Sequence, residues 1–208
     1  MLVDSYLKGF FVAMAKCEYA MAKDNLAALK MAGGASDADI ARLKQAYPDC
    51  PQALIELLKR IDGSYFREYN GHEVWAPLMG DGVALLSVEQ IIENKAETRS
   101  IAAVYHLHDA GHAELQPWQV DDRINIDTPI GWRLHFTDSD NDGFCIDFDP
   151  CTNGVKGQIL DNEFILLDKK IRVVANNFEE YLQNLIDSNY AFINKCYFDI
   201  MEGELHEI

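Results

Sequence analysis

The segment from Asp138 to Asp149 carries the sharpest chemical pattern in this sequence of 208 residues. Its first, third, fifth and twelfth positions are held by Asp138, Asp140, Asp142 and Asp149. With Gly143 at the sixth position, this spacing is typical of loops whose carboxylates surround a calcium ion. The flanking residues favour strands, and Pro150 blocks a helix from following directly. We therefore interpret the segment as a solvated hairpin turn, with calcium binding as an alternative.

A second cluster of candidate ligands contains three histidines, His106, His108 and His112, with Asp109 between them. Neutral imidazoles this close in sequence could bind zinc or another transition metal. However, the metallo-hydrolase pattern places an aspartate directly before the last histidine, and this run does not. We interpret the cluster as part of an exposed polar loop and predict no metal or cofactor. A metal-dependent hydrolase built on these histidines is the alternative.

The remaining chemistry-bearing residues do not form a recognisable catalytic pattern. The sequence has no G-x-S-x-G, and none of its five cysteines lies in an activating motif. In the glycine pair at 80 and 82, Asp81 places a carboxylate where a phosphate would be repelled. The odd cysteine count without a C-x-x-C favours a reducing, cytoplasmic location. We therefore predict no catalytic residues and no enzymatic activity.

The charge of the chain restricts its partners. Asp and Glu total 34 against 18 Lys and Arg, which gives a formal net charge of −16. Half of that excess lies in residues 121–168, which hold eleven acids and three bases. Such a chain is not expected to bind nucleic acid or an anionic membrane surface, and it has no apolar stretch of the ~20 residues that a membrane helix needs. A basic protein partner is compatible with this charge.

The elements that would position these residues begin with helices. Apolar residues three and four apart predict one long helix over residues 2–31. Ser36 is expected to cap a second helix, and Pro51 to open a third as its first helical residue. The strand predicted over residues 83–86 is followed by Ser87 and Gln90, which are spaced as a capping box.

The second half of the chain favours strands. Alternating apolar residues predict a half-buried strand over residues 132–137, with residues 144–148 as its hairpin partner. Further strands are expected at 158–160, 163–167 and 171–175. Asn176 or Asn177 is expected to cap a last helix. The fold class is therefore α+β, with a mainly antiparallel central sheet flanked by helices and an extra N-terminal helix.

Several of these segments, in this order, resemble the SUKH superfamily of immunity proteins, which are related to fungal cell-wall-assembly regulators. The resemblance rests on residues 144–150, Gly154, residues 157–159 and residues 174–182. Residues 36–63 and 85–91 are similar to the family's opening helices and its strand-to-helix step. The resemblance spans residues 36–185. It implies a SUKH-like domain over residues 36–208 that follows an N-terminal helical extension over residues 1–35.

The resemblance implies a non-enzymatic protein that neutralises a cognate toxin by stoichiometric binding in the cytoplasm. Toxins that attack nucleic acids carry basic surfaces, so an acidic inhibitor could mimic phosphates with its carboxylates. The predicted contact residues are Asp138, Asp140, Asp142, Asp147 and Asp149. A regulatory scaffold of the cell-wall-regulator type is the alternative, and the oligomeric state is left open.

Overall fold

The computed structural model describes residues 1–80, 82–103, 117–138, 143–161 and 170–193. The helices of the described ranges include α1 Leu2–Lys16, α2 Ala20–Lys30, α3 Asp37–Ala46, α4 Gln52–Leu58, α5 Val88–Glu93 and α6 Phe178–Asp187. Short 3₁₀ turns occur at Asn94–Ala96, Pro117–Gln119 and Ile130–Trp132. The strands are β1 Arg67–Tyr69, β2 His72–Val74, β3 Ala84–Leu85, β4 Leu134–His135, β5 Thr137–Asp138, β6 Phe144–Asp147, β7 Gln158–Asp161 and β8 Arg172–Ala175.

The strands pair in antiparallel fashion in three groups. The largest is a four-stranded sheet in the order β4-β6-β7-β8, and the smaller groups are the pairs β1-β2 and β3-β5. β4 and β6 form the expected hairpin. The α+β class, the antiparallel sheet with helices around it and an N-terminal helix are therefore confirmed.

The four-stranded sheet separates two apolar clusters because successive side chains of a strand point to opposite faces. Leu134, Ile146 and Ile159 belong to the main core, together with Phe178 and Leu182 of α6. On the other face, Cys145, Leu160 and Ile171 pack with Ile101 and Ile124. The loop before β4 therefore covers the face of the sheet that points away from the main core.

The prediction of one long N-terminal helix is wrong, because the chain breaks between Lys16 and Ala20. Cys17 is extended, and α2 folds back to pack against α1. The apolar spacing continues through the break because both helices bury residues in the main core. The spacing alone therefore could not reveal the reversal. The predicted division at residue 35 stays a prediction, although α1 and α2 share the core of the later elements.

The helix caps follow the sequence closely. Ser36 accepts a hydrogen bond from the backbone N–H of Asp39, and Ser87 and Gln90 form the reciprocal capping box. Asn177 caps α6 by accepting from the N–H of Glu180. Pro51 is the N-cap of α4 and not its first helical residue, so the helix begins one residue later than expected. The side chains of Ser36, Ser87 and Asn177 satisfy backbone donors that the first turn of a helix leaves free, whereas Pro51 makes no such bond.

Two further expectations differ or lie outside the described residues. Trp132 ends a 3₁₀ turn with its side chain 62% exposed, so it is not part of the half-buried strand. The predicted strand at 163–167 and the cluster of His106, His108 and His112 lie outside the described residues. Within the described ranges, no helix combines the length and the apolar character that crossing a membrane would require.

Candidate partner-binding surface

A buried ion pair lies on the sheet face that points away from the main core. Leu134 pairs with Ile146 across β4 and β6, so the next pair along brings Arg133 opposite Asp147. Arg133 Nε lies 3.3 Å from Asp147 Oδ1, and the two side chains are 1% and 0% exposed. Because both charges are withdrawn from water, each depends on the other for compensation.

Gln158 extends this pair across the sheet, since it lies opposite Asp147 in β7. Its Nε2 donates to Asp147 Oδ2 at 3.1 Å and to the carbonyl of Arg123 at 3.2 Å. The backbone N–H of Asp149 donates to the other carboxylate oxygen of Asp147 at 3.2 Å. Asp147 is thus a buried structural residue, which corrects its predicted role as a partner contact.

The guanidinium group of Arg133 fastens the preceding loop to the sheet. Nη1 donates to the carbonyl of Thr128 at 3.1 Å, and Nη2 donates to the carbonyl of Asn125 at 2.6 Å. The buried network of Arg133, Asp147 and Gln158 therefore holds the loop over residues 121–133 in one conformation. We call these three residues the polar row.

Asp121 fastens the start of the same loop. Arg123 Nε donates to Asp121 Oδ1 at 2.8 Å, and Nη2 donates to Oδ2 at 2.6 Å. These bonds, assisted by a backbone hydrogen bond from Val173 in β8, lower the pKa of Asp121 to about 2. The N–H of Asp121 also donates to the carbonyl of Ile171 at 2.9 Å. The loop is thus tied to the edge strand β8 as well.

The loop presents carboxylates to solvent. Asp122, Asp127 and Asp149 are all exposed. Asp149 accepts from Thr128 Oγ1 at 2.6 Å and from Asn125 Nδ2 at 3.3 Å, which brings it beside the loop. We call these three carboxylates the acidic loop surface. Since their backbone is held by buried bonds, their positions are set before any partner arrives.

Trp132 stands exposed at the end of the same loop. The preceding residue, Gly131, donates its N–H to the carbonyl of Glu97 at 2.9 Å and accepts from the Tyr47 hydroxyl at 3.2 Å. A Cβ at Gly131 would overlap the carbonyls of Lys95 and Glu97, so only glycine allows this close approach. An exposed tryptophan on a rigid base is the type of side chain that anchors protein interfaces.

His135 is a half-buried titratable group on the loop side of the sheet. It lies opposite Cys145 in β6, and its Nε2 is buried without a hydrogen-bond partner among the described residues. Burial, assisted by the nearby charge of Arg133, lowers the pKa of His135 to about 4, against a backbone hydrogen bond with Ile130. The imidazole is therefore neutral at neutral pH, and it belongs to the structure rather than to the surface.

The five predicted contact residues differ in their exposure and in whether the structure describes them. Asp149 is exposed and Asp147 is buried. The backbone of Asp138 pairs with Ala84 in the β3-β5 pair. Asp140 and Asp142 lie outside the described residues, which omit 139–142 of the calcium-like segment. Among the residues that the structure describes, no cluster of His, Cys, Asp and Glu could hold a metal ion.

Sequence reasoning missed four residues of this site: Asp122, Asp127, Trp132 and Arg133. The excess of acids over residues 121–168 includes the region of the acidic loop surface. Pairing of Arg133 with Asp147 could have been inferred from the β4-β6 hairpin, because two charged residues at matching positions of an inward-facing row need each other. Trp132 could not be separated from the alternating strand pattern that follows it.

A comparison with known families now supplies the context for this geometry. A search of curated proteins returns no match. The family model described as the SMI1 / KNR4 family (SUKH-1) matches residues 34–184. That range contains α3 to α5, all the strands and most of α6, including the polar row and the acidic loop surface. The chain therefore belongs to the SMI1 / KNR4 family (SUKH-1).

Proposed function

We propose that this protein is an immunity-type binding protein that neutralises a basic protein toxin by stoichiometric association. Membership of the SUKH family supports a role of this kind. The proposed contact residues are Asp122, Asp127 and Asp149 of the acidic loop surface, with Trp132 as the aromatic anchor. In this proposal the protein acts in the cytoplasm, binds no nucleic acid and performs no catalysis.

The observation that carries the proposal is a set of exposed carboxylates on a loop that is held by buried hydrogen bonds and ends at an exposed tryptophan. Arg133 is buried and pairs with Asp147. Its positive charge therefore does not offset the exposed carboxylates of the acidic loop surface. The acidic loop surface therefore keeps its negative character. A preorganised surface also loses less conformational entropy on binding than a mobile loop would.

The sign of the charge favours a basic partner. A net charge of −16 steers a positively charged protein toward this chain and raises the association rate. Toxins that cleave nucleic acids must present cations to phosphates, and carboxylates at similar positions would occupy the same cations. A nuclease toxin is therefore the candidate class of partner.

Co-expression with a candidate toxin domain, sought among the products of the neighbouring genes, tests the proposal. We expect the wild-type protein to restore growth and to be recovered in a complex with the toxin. The variant Asp122→Lys/Asp127→Lys should lose both properties, because it reverses two exposed charges of the surface. The matched control, Asp24→Lys/Asp187→Lys, changes the net charge equally at exposed positions on α2 and α6.

Two outcomes would overturn the proposal. If the wild-type protein neither binds the toxin nor protects cells, the immunity role is wrong and a regulatory scaffold becomes the better account. If the control variant loses protection as completely as Asp122→Lys/Asp127→Lys, net charge matters but the acidic loop surface does not.

A further inference from the structure

A groove of about 620 Å³ runs along the outer face of α1, where the N-terminal helices meet the start of the matched family region. One wall is formed by two neighbouring rows of α1, which include Lys8, Phe11 and Val12. The opposite wall includes Lys30 of α2 and Arg60, which follows α4. The groove therefore lies between the N-terminal helices and the first part of the family domain.

The groove exposes apolar surface at the margin of the main core. The side chain of Val12 is 49% exposed, and Phe11 is only partly buried. Met31, which directly follows Lys30, is 58% exposed. A group of exposed apolar side chains around a groove marks a site where another molecule packs.

The charge around the groove is opposite to that of the whole chain. Lys8, Lys30 and Arg60 line it, with Asp4 as the acidic residue among the lining side chains. Arg60 pairs with Asp4 at 2.7 Å, whereas Lys8 and Lys30 have no ion-pair partner among the described residues. In a chain with a net charge of −16, two free lysines beside an apolar groove form a local basic site.

We propose that this groove binds an acidic amphipathic helix of a partner protein. The lining residues of α1 run from Asp4 to Ala15, which corresponds to about 16 Å, or three helical turns. A helix of that length places apolar side chains at positions i, i+3 or i+4, and i+7 along one groove. Flanking glutamates would lie near Lys8 and Lys30.

This groove and the acidic loop surface use different residues and opposite charges. The inference therefore goes beyond the proposed function and does not depend on it. A chain with both surfaces could hold a basic partner through its loop and an acidic partner through α1. The acidic partner would bind at α1 without competing with the basic partner for the acidic loop surface.

The test uses the full-length protein and a fluorescent helical peptide with leucines at i, i+4 and i+7 and glutamates on both flanks. We expect binding measured by fluorescence anisotropy to weaken at least about tenfold in Lys8→Glu/Lys30→Glu. The matched control Lys44→Glu/Lys170→Glu changes the net charge equally at exposed positions outside the groove. It should stay within about threefold of wild type, because distant charges act weakly through salt. A peptide with lysines in place of the glutamates should not bind.

Three results would overturn the proposal. The first is absence of peptide binding to the wild-type protein, or equal loss in both charge variants. The second is groove-dependent sedimentation with vesicles of phosphatidylserine and phosphatidylcholine, which would assign the groove to lipid. The third is a dimer in analytical ultracentrifugation that Val12→Asp converts to monomer, which would assign it to a second copy of this chain.

Discussion

Helix α1 and the loop over residues 121–133 are held to the same molecule by different forces. α1 buries Tyr6, Phe10 and Met14 in the main core, and most of its attachment is apolar packing. The loop packs Ile124, Ile126 and Ile130 on the second, smaller apolar cluster, and it is also held by the polar row and by Asp121. Apolar packing is spread over many small contacts, whereas a buried charge network depends on each of its members.

This difference bears on where the protein meets its partners. A loop held by buried polar bonds has one conformation and can carry exposed carboxylates at fixed positions. A helix held by one apolar face leaves its other face free, and the groove along α1 occupies that free face. The two proposed surfaces therefore arise from the two modes of attachment.

The largest expected effect comes from breaking the polar row. Asp147→Ala leaves the cation of Arg133 buried without compensation, and we expect a loss of about 3–5 kcal/mol in the free energy of unfolding. Urea denaturation measures this loss. The control Asp149→Ala removes a neighbouring exposed carboxylate and should cost about 1 kcal/mol. Equal losses in both variants would show that the loop is not held through Arg133.

A double substitution separates the ion pair from its surroundings. Arg133→Met/Asp147→Leu removes both charges and keeps similar volume, so we expect it to recover most of the stability lost in Asp147→Ala. The backbone N–H of Asp149 loses an acceptor in both cases, whereas the double variant alone also removes the hydrogen bonds from Arg133 to the carbonyls of Thr128 and Asn125. The recovered stability is therefore a lower bound on the cost of the uncompensated charge. A double variant no more stable than Asp147→Ala would contradict this account.

The loop side of the sheet should also respond to pH through His135. The pKa of this group is about 4 in the folded protein, below its ordinary value of 6.5, so the unfolded chain binds the proton more readily. The contribution of His135 to the free energy of unfolding is therefore fully present above pH 6.5 and is lost as the pH falls toward about 4. We expect wild type to lose about 2 kcal/mol more than His135→Gln across this window. Parallel pH profiles in thermal unfolding would contradict the assignment.

On the N-terminal side, Gly9 tests how closely α1 packs. A Cβ at Gly9 would overlap the ring of Tyr190, whose hydroxyl donates to the carbonyl of Tyr6 at 2.9 Å. We expect Gly9→Ala to cost about 1–2 kcal/mol despite the better helix propensity of alanine. The same substitution in a Tyr190→Ala background should be neutral or stabilising. Gly33→Ala, with open space around it, serves as the control for denaturant unfolding.

The smallest expected effect concerns the Asp121–Arg123 pair. The folded pKa of Asp121 is lowered from 3.8 to about 2, so its contribution to stability is present above pH 3.8 and is lost as the pH falls through about 2. Asp121→Asn should therefore lower stability by about 1 kcal/mol at pH 7. The difference from wild type should vanish near pH 2. A difference that persists there would mean that the carboxylate acts through packing rather than charge.

The parts of the fold that were predicted from sequence are those set by local rules. The caps at Ser36, Ser87 and Asn177 use contacts within three residues, and strand alternation follows from the two faces of a sheet. The break between α1 and α2 was not predictable, because both helices bury apolar residues in one core and the apolar spacing therefore continues across the break. Burial of Asp147 was missed for a similar reason, since it depends on Arg133 in a neighbouring strand.

The candidate surface was predicted in outline only. Local acid content identified the region, because many carboxylates in 48 residues cannot all be buried. Which of them face solvent depends on strand register and on the course of the loop, and neither can be read from composition. For this reason Asp122 and Asp127 were overlooked, whereas the contact role of Asp149, which is exposed, stays a prediction.

The association rate of the purified protein with the neighbouring toxin domain tests the central claim most directly. If the acidic loop surface steers a basic partner, the rate should fall about tenfold or more as salt rises from about 0.05 M to about 0.5 M. The variant Asp122→Lys/Asp127→Lys should start lower and show a flatter salt dependence, while Asp24→Lys/Asp187→Lys follows wild type. A rate that is independent of salt, or equal slopes in both variants, would contradict the account.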